Sequence, residues 1–290
     1  MKTIERKSML YKTKVEYGDY TMNHVLGCAH GCRYPCYAMM MAKRFGTVDS
    51  YEDWCEPVLV SNTLDLLDRE IPRLKDKIDH VQLCFTTDSF MYGFDEIREM
   101  SLRAIEKLNQ SGIPCVVLSK GVLPEELACL SKDNIYGITL VSLDESYRTQ
   151  YEPGAAPYRE RINALRRLHD AGCRTWVSME PYPTPNLIEQ KLELILEEVS
   201  FADRIIFGRT NYNRTVSSYP NVKEWYNERV LEVIRFCKKR EIDFYIKRGT
   251  WTGSDLTVLD VEVLDCLSSA LDEPVLSSAQ SLLDEGRVCA

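Results

Sequence analysis

The chain is poor in the features that mark several common protein classes. No run approaches the roughly 20 apolar residues of a membrane-spanning helix, and the opening segment, Met1-Lys-Thr-Ile-Glu-Arg-Lys, has no apolar leader core. A cytoplasmic protein with no membrane partner is therefore expected. Basic residues are in deficit: 36 Lys and Arg stand against 44 Asp and Glu, for a net charge of −8. That balance argues against a general nucleic-acid coat and leaves room only for a local basic groove. Histidine is scarce, four residues in all. His24, His80 and His169 fall singly, so they read as strand-edge or helix-surface residues rather than metal ligands. Low-complexity stretches and repeats are absent. With 44% hydrophobic residues in 290, the chain can bury one large core or two modest ones.

Cysteine is the exception to this scarcity. Eleven are present, an odd number in a long chain, which speaks against a disulfide framework. Eight of them, Cys55, Cys84, Cys115, Cys129, Cys173, Cys237, Cys266 and Cys289, are scattered singly, as small core residues are. The other three share one nine-residue stretch, Cys28-Ala-His-Gly-Cys32-Arg-Tyr-Pro-Cys36. Three soft, deprotonatable ligands at short fixed spacing suit an iron–sulfur cluster. Three ligands leave one iron of a [4Fe–4S] cluster open for chemistry. Gly27 and Gly31 permit the close backbone approach that such a wrapping loop needs, and Pro35 stiffens its last arc. The competing reading is a non-enzymatic zinc-binding scaffold or interaction protein. A closed zinc site wants four ligands, usually from CxxC pairs. His30, midway between two cysteines, reaches the same metal only by straining the loop.

Short apolar runs alternate with amphipathic segments along the rest of the chain. Strands are expected at 81–86, 115–119, 135–142, 174–179, 205–208 and 244–247. Helices are expected at 94–109, briefly from 125, and at 158–171, 187–199 and 225–239. Strands separated by helices imply parallel βαβ units with right-handed crossovers. The fold class expected is α/β, a partial parallel (β/α)6 TIM-type barrel over residues 1–250, with residues 251–290 as a short C-terminal extension. In such a barrel, functional side chains gather where strands end. Those positions hold Thr86, Thr87 and Asp88, then Ser119 and Lys120, Ser142, Glu180, and Arg209, Thr210 and Asn211. Tyr245, Lys247, Arg248 and Trp251 lie near the last strand end. The stretch from Arg204 through Asn211, Tyr212 and Arg214 is the most basic, aromatic-interleaved rim segment, a candidate to receive a phosphate or a nucleic-acid backbone.

The cysteine triplet ahead of a βα barrel resembles the radical S-adenosylmethionine (SAM) superfamily. The run Cys36-Tyr-Ala, Thr86-Thr-Asp88 after a strand, Lys120 after the next, and Glu152-Pro-Gly with Glu160-Arg-Ile162 narrow the resemblance to spore photoproduct lyase-like enzymes. The resemblance covers residues 20–210. It implies that Cys28, Cys32 and Cys36 bind three irons of a [4Fe–4S] cluster, with SAM chelating the fourth. It implies that Thr86, Thr87 and Asp88 contact the methionine amine side and that Lys120 pairs with the carboxylate. Ser142 would then touch the ribose, Arg161 would support Glu152 or that carboxylate, and Tyr37 would stack on or hydrogen-bond SAM. An electron donor such as flavodoxin or ferredoxin and reductive SAM cleavage to a 5′-deoxyadenosyl radical follow from the same likeness. Two departures stand out. Three residues, not two, separate Cys32 from Cys36. The position before Thr86, which in the lyases is a hydrogen-donating cysteine, is Phe85, and the nearby thiol is Cys84. Strand alternation points Cys84 toward the helices as core filler, so it stands only as a weak catalytic candidate. The substrate stays open, with nucleotides and nucleic acids among its classes.

Overall fold

Alternation of strand and helix carries through the molecule, whose computed structural model describes residues 1–15 and 18–253. In chain order the N-terminal part holds β1 (Lys2–Ile4), β2 (Leu10–Lys12), β3 (Tyr20–Met22), β4 (Val25–Leu26), α1 (Tyr37–Arg44), α2 (Tyr51–Cys55), β5 (Val58–Val60) and α3 (Thr63–Leu74). The repeating units follow as β6 (Val81–Leu83), α4 (Asp95–Gln110), β7 (Cys115–Ser119), β8 (Ile135–Thr139), α5 (Glu145–Tyr151), α6 (Tyr158–Asp170) and β9 (Arg174–Tyr182). The chain then runs through α7 (Leu192–Glu198), β10 (Arg204–Arg209), α8 (Arg214–Ser217), α9 (Val222–Lys239) and β11 (Asp243–Ile246). The expected extension falls almost wholly outside the described residues, at 254–290. Among the described residues, no helix is long and apolar enough to cross a membrane.

One sheet of eight strands, in the order β11-β10-β9-β8-β7-β6-β3-β2, forms the body. Every pair from β11 to β3 is parallel, and only β2 runs antiparallel, against β3. The fold is thus α/β with a mostly parallel sheet, consistent with the partial TIM-type barrel expected, but its strand count exceeds six. The added strands β2 and β3 have three residues each, too few to show a period of two. A second sheet, β1-β5-β4, sits apart and was not legible in the sequence for the same reason.

Alternation along the strands sorts their side chains by face. Val117, Tyr136, Ile138, Val177, Met179, Ile205 and Phe207 join the main core with Ile105 and Leu108 of α4, Ile162 and Leu165 of α6, and Val230 and Ile234 of α9. Burial of each such aliphatic side chain contributes about 1.5–3 kcal/mol. The alternate residues Gln82, Val116, Gly137, Trp176 and Ile206 lie on the opposite, inner face. Trp176 crosses that face: it lies over its cross-strand partner Gly137, and its indole N–H donates to the Val117 carbonyl at 3.0 Å. A Cβ at position 137 would meet indole atoms at 2.3–2.5 Å, so only glycine leaves room for the ring.

Gly137→Ala should therefore cost about 1–3 kcal/mol through overpacking, read as a lower urea midpoint with an unchanged slope. Gly137→Ala combined with Trp176→Phe should be less destabilised than the sum of the two single variants. Strict additivity in that double-mutant cycle would show that the ring and the glycine are not coupled.

Candidate metal centre

The cysteine triplet forms the loop between β4 and α1, at the edge of the small sheet. Gly27 turns it with φ +73°, and a Cβ there would come within 2.8 Å of the Trp54 carbonyl. That same carbonyl accepts the Cys28 N–H at 2.7 Å. Gly31 turns the chain again at φ +56°, and its carbonyl accepts the Tyr51 hydroxyl at 2.6 Å. Cys36 is the residue before α1, and its carbonyl accepts the Met40 N–H at 2.9 Å to start that helix. Cys32 is buried, whereas Cys28 and Cys36 are partly exposed. Burial pushes the Cys28 thiol well up, reinforced by Cys32 and Asp88; burial likewise raises Cys32, to about 12. Thiols that oppose one another's ionisation need a cationic centre to become thiolates together, which suits a multi-iron cluster. Among the described residues, no three His, Cys, Asp or Glu side chains gather as the ligands of one ion.

The loop is backed by the segment that links α5 to α6. Gly154 packs so tightly that a Cβ would sit 2.0 Å from the Ala29 carbonyl. Its N–H donates to the His30 carbonyl at 3.0 Å, and the Arg33 N–H donates to the Tyr151 carbonyl at 2.8 Å. Beneath lies Glu152, with a fully buried side chain. Its Oε2 accepts from Arg161 at 2.9 Å, its Oε1 accepts the Tyr34 hydroxyl at 2.9 Å, and the Lys120 ammonium stands 3.9 Å from Oε1. Burial disfavours the Glu152 carboxylate, but Arg161 and Lys120 outweigh it and hold the group below the usual carboxylate range. Arg161 is spent entirely inside: its other nitrogens donate to the carbonyls of Ala156 at 2.8 Å and Thr139 at 3.0 Å. Of the two roles expected for Arg161, the structure shows support of Glu152. Tyr34 lies in the three-residue stretch between Cys32 and Cys36. Its ring turns inward, with 5% exposure, and Lys120 Nζ lies 5.6 Å over it. The sequence signal for Tyr34 was present in the spacing itself, but its partner Glu152 lies 118 residues away.

The other expected site residues divide into supports and exposed groups. Asp88 accepts from the Phe90 N–H and the Ser119 hydroxyl on Oδ1, and from the Lys120 N–H on Oδ2, each at 2.8 Å. His30 Nδ1 stands 3.4 Å from Oδ2, and its Nε2 accepts the Tyr92 N–H at 3.2 Å. Burial lowers the His30 pKa to about 4, so the ring is neutral and its one proton sits on Nδ1, facing Asp88. Asp88 thus ties the cysteine loop to the ends of β6 and β7. Thr87 donates to the Val25 carbonyl at 3.0 Å, and Ser142 accepts the Asp144 N–H at 3.0 Å. Thr86 is exposed, Tyr37 is 61% exposed at the start of α1, and the Lys120 side chain keeps 17% exposure beside the thiols.

Two expectations change on contact with the structure. Cys84 is not on a strand: β6 ends at Leu83, and Cys84 turns through φ +53°. Face alternation therefore does not place its thiol, which is buried in a small cluster with Val25, Leu59, Met91 and Ile97 alongside Cys28. His24 is not a strand-edge residue but is fully buried, with Nε2 2.8 Å from the Ser101 hydroxyl and Nδ1 3.5 Å from the Cys84 sulfur.

Comparison with known proteins fits this geometry. The Radical SAM superfamily family model matches residues 22–199, from the last residue of β3 to the residue after α7. An uncharacterised protein of Acidianus two-tailed virus is 26% identical over 194 residues, covering 62% of this chain. That match spans 63% of the viral protein, less than two thirds of its length. An uncharacterised protein of Methanocaldococcus jannaschii is 22% identical over 256 residues, covering 82% of this chain and 93% of that one. Among solved structures, a spore photoproduct lyase mutant with bound AdoMet and dinucleoside spore photoproduct superposes with a TM-score of 0.62. The superposition has 16% identity over 84% of this chain and 80% of the lyase. A second lyase structure, complexed with dinucleoside spore photoproduct, gives a TM-score of 0.63 over the same shares at 16% identity. At these identities the structural likeness is one of fold.

Glu152→Ala leaves the Arg161 guanidinium buried without its counter-charge, so it should cost about 3–5 kcal/mol in chemical denaturation. Tyr34→Phe removes one hydrogen bond to a charged group and should cost about 1.5–3 kcal/mol. Equal, small losses for both would show that Glu152 is not the anchor of the network.

Proposed function

The chain belongs to the Radical SAM superfamily, and on that premise we propose that Cys28, Cys32 and Cys36 hold a [4Fe–4S] cluster whose open iron takes SAM. When bound, that pair would supply one chemistry, the one-electron reductive cleavage of SAM to methionine and a hydrogen-abstracting 5′-deoxyadenosyl radical, the electron coming from an external donor.

This chain's own residues bind, orient and exclude water. The carrying observation is the loop of three thiols pinned by the Glu152–Gly154 segment, with an ammonium at its side. Burial opposes the charge on Lys120, yet Cys32 and Glu152 together raise its pKa above the ordinary lysine value, so the ammonium stays protonated. At 3.9 Å from Glu152 it is only loosely paired. A point charge so placed suits the SAM carboxylate. Thr86 and Tyr37 are the other expected contacts with exposed side chains, and we assign them to SAM as well. Thr87, Asp88, Ser142 and Arg161 have in-chain hydrogen-bond partners, and we assign them to holding the loop and the strand ends. Cys84 receives no catalytic role in this reading, since it packs among apolar side chains. The electron donor is a small redox protein of the flavodoxin or ferredoxin kind, and the substrate is a nucleotide or nucleic acid, on grounds set out below.

Anaerobic reconstitution with iron and sulfide should yield a brown protein with about four irons per chain and broad absorbance at about 400 nm. With a chemical reductant it should convert SAM to 5′-deoxyadenosine, and Cys32→Ala should abolish that product. A colourless protein with one zinc per chain would support the scaffold reading instead.

A further inference from the structure

At the far end of the barrel rim from the cysteine loop, a cavity of about 380 Å³ opens between the end of β10, α8 and the start of α9. Arg209 and Lys223 both line it, together with Tyr212, Thr210, Asn211 and Thr250, and among the described residues no carboxylate does. In a chain of net charge −8, two cations around one hollow without an acidic residue are unusual enough to ask what balances them. Neither forms an ion pair with another described residue. Arg209 is nevertheless fixed. Its Nε donates to the Asn211 side-chain carbonyl at 2.9 Å, and its backbone N–H donates to the Thr250 hydroxyl at 3.2 Å. Among the described residues, the Nη edge of the guanidinium, the fork that meets anions two bonds at a time, has no hydrogen-bond partner.

The local backbone is shaped for this end of the sheet. A register shift between Phe207 and Arg209 breaks the pleat of β10, so the direction of Arg209 is set by an irregularity of the kind that re-aims side chains near functional sites. Tyr212 and Asn221, both non-glycine, hold φ of +59° and +51° on either side of α8. Left-handed backbone at a residue such as Tyr212 is unfavourable unless the surroundings impose it, whereas Asn adopts it more readily. Asn221 precedes α9, an 18-residue helix with no side-chain cap, so its first N–H groups add positive potential at the cavity wall where Lys223 stands. Tyr212 is 69% exposed beside it, an aromatic surface with no packing duty.

We propose that this cavity is a phosphate subsite of the substrate, with Arg209 and Lys223 gripping one phosphate and Tyr212 offering a stacking surface for an attached base. The volume is at the small end of ligand sites, room for a phosphate with its sugar. The inference rests on the radical SAM reading for its purpose, since it assigns that enzyme a nucleotide-bearing substrate, but its binding test stands apart from cluster chemistry. The same phosphate chemistry is offered by a free nucleotide and by a nucleic-acid strand.

Binding to the full chain should be measured at low salt with three probes: a nucleoside, its 5′-monophosphate and a short single-stranded oligonucleotide. The phosphorylated probes should bind and the nucleoside should not. A mononucleotide that binds as well as the oligonucleotide identifies a free nucleotide as the source, and a strong preference for the oligonucleotide identifies a strand. Arg209→Ala and Lys223→Ala should each weaken the better probe by roughly tenfold, and Arg209→Lys should recover part of the loss. For the oligonucleotide, each alanine variant should also flatten the salt dependence by about one unit of slope. Thermal melting of each variant checks that it is folded. Equal binding of nucleoside and phosphorylated probes, no binding of either phosphorylated probe, or folded alanine variants that bind like the parent would each overturn the proposal. Failure of iron reconstitution would sink the radical SAM reading without touching these measurements.

Discussion

A single buried carboxylate organises the functional end of this molecule. Glu152 sits in the protein interior, where an isolated charge would cost several kcal/mol, and it is tolerated because Arg161, Lys120 and Tyr34 converge on it. The three partners come from α6, the end of β7 and the cysteine loop. Gly154, two residues on, lets that same segment press against Ala29. The loop that carries the thiols is therefore not a free surface excursion. It is held from below by a charge network and from the side by backbone contact.

A second tie runs through Asp88, whose two oxygens join the ends of β6 and β7 to each other and to His30 within the loop. Neutral His30 bridges two partners with its two nitrogens, one as donor and one as acceptor. Preorganisation of this sort lets an open-site cluster meet its ligand without rearranging the protein. Several polar residues at the strand ends thus have in-chain partners, Asp88, Thr87 and Ser142 among them, while the Thr86 side chain is exposed and Lys120 keeps part of its surface open.

Much of this was legible in the sequence, and the failures have physical causes. The cysteine spacing, the long amphipathic helices and the strand-end polar residues lie close together along the chain, and local pattern reveals such features. The three-residue strands β2, β3 and β5 left no period to read. Cys84 was assigned to a face by alternation, and alternation lapses where β6 ends one residue earlier in a left-handed turn. His24 read as a lone surface residue because its partners, Ser101 and Cys84, are 77 and 60 positions away. The extra residue between Cys32 and Cys36 looked like a defect in a motif. In the folded chain that stretch carries Tyr34, whose hydroxyl donates to Glu152. Residue type and spacing showed which side chains have suitable chemistry, and only the fold separates those that face a ligand from those that hold the frame.

The central claim is that the pinned three-thiol loop presents an open iron to SAM beside the Lys120 ammonium. Electron paramagnetic resonance of the reduced, reconstituted protein tests it most directly, with and without SAM. The account predicts a [4Fe–4S]+ signal whose shape changes when SAM is added, and a Lys120→Met variant that keeps the cluster signal but needs far more SAM to change it. A cluster signal indifferent to saturating SAM, or a Lys120→Met variant that responds like the parent, would contradict it.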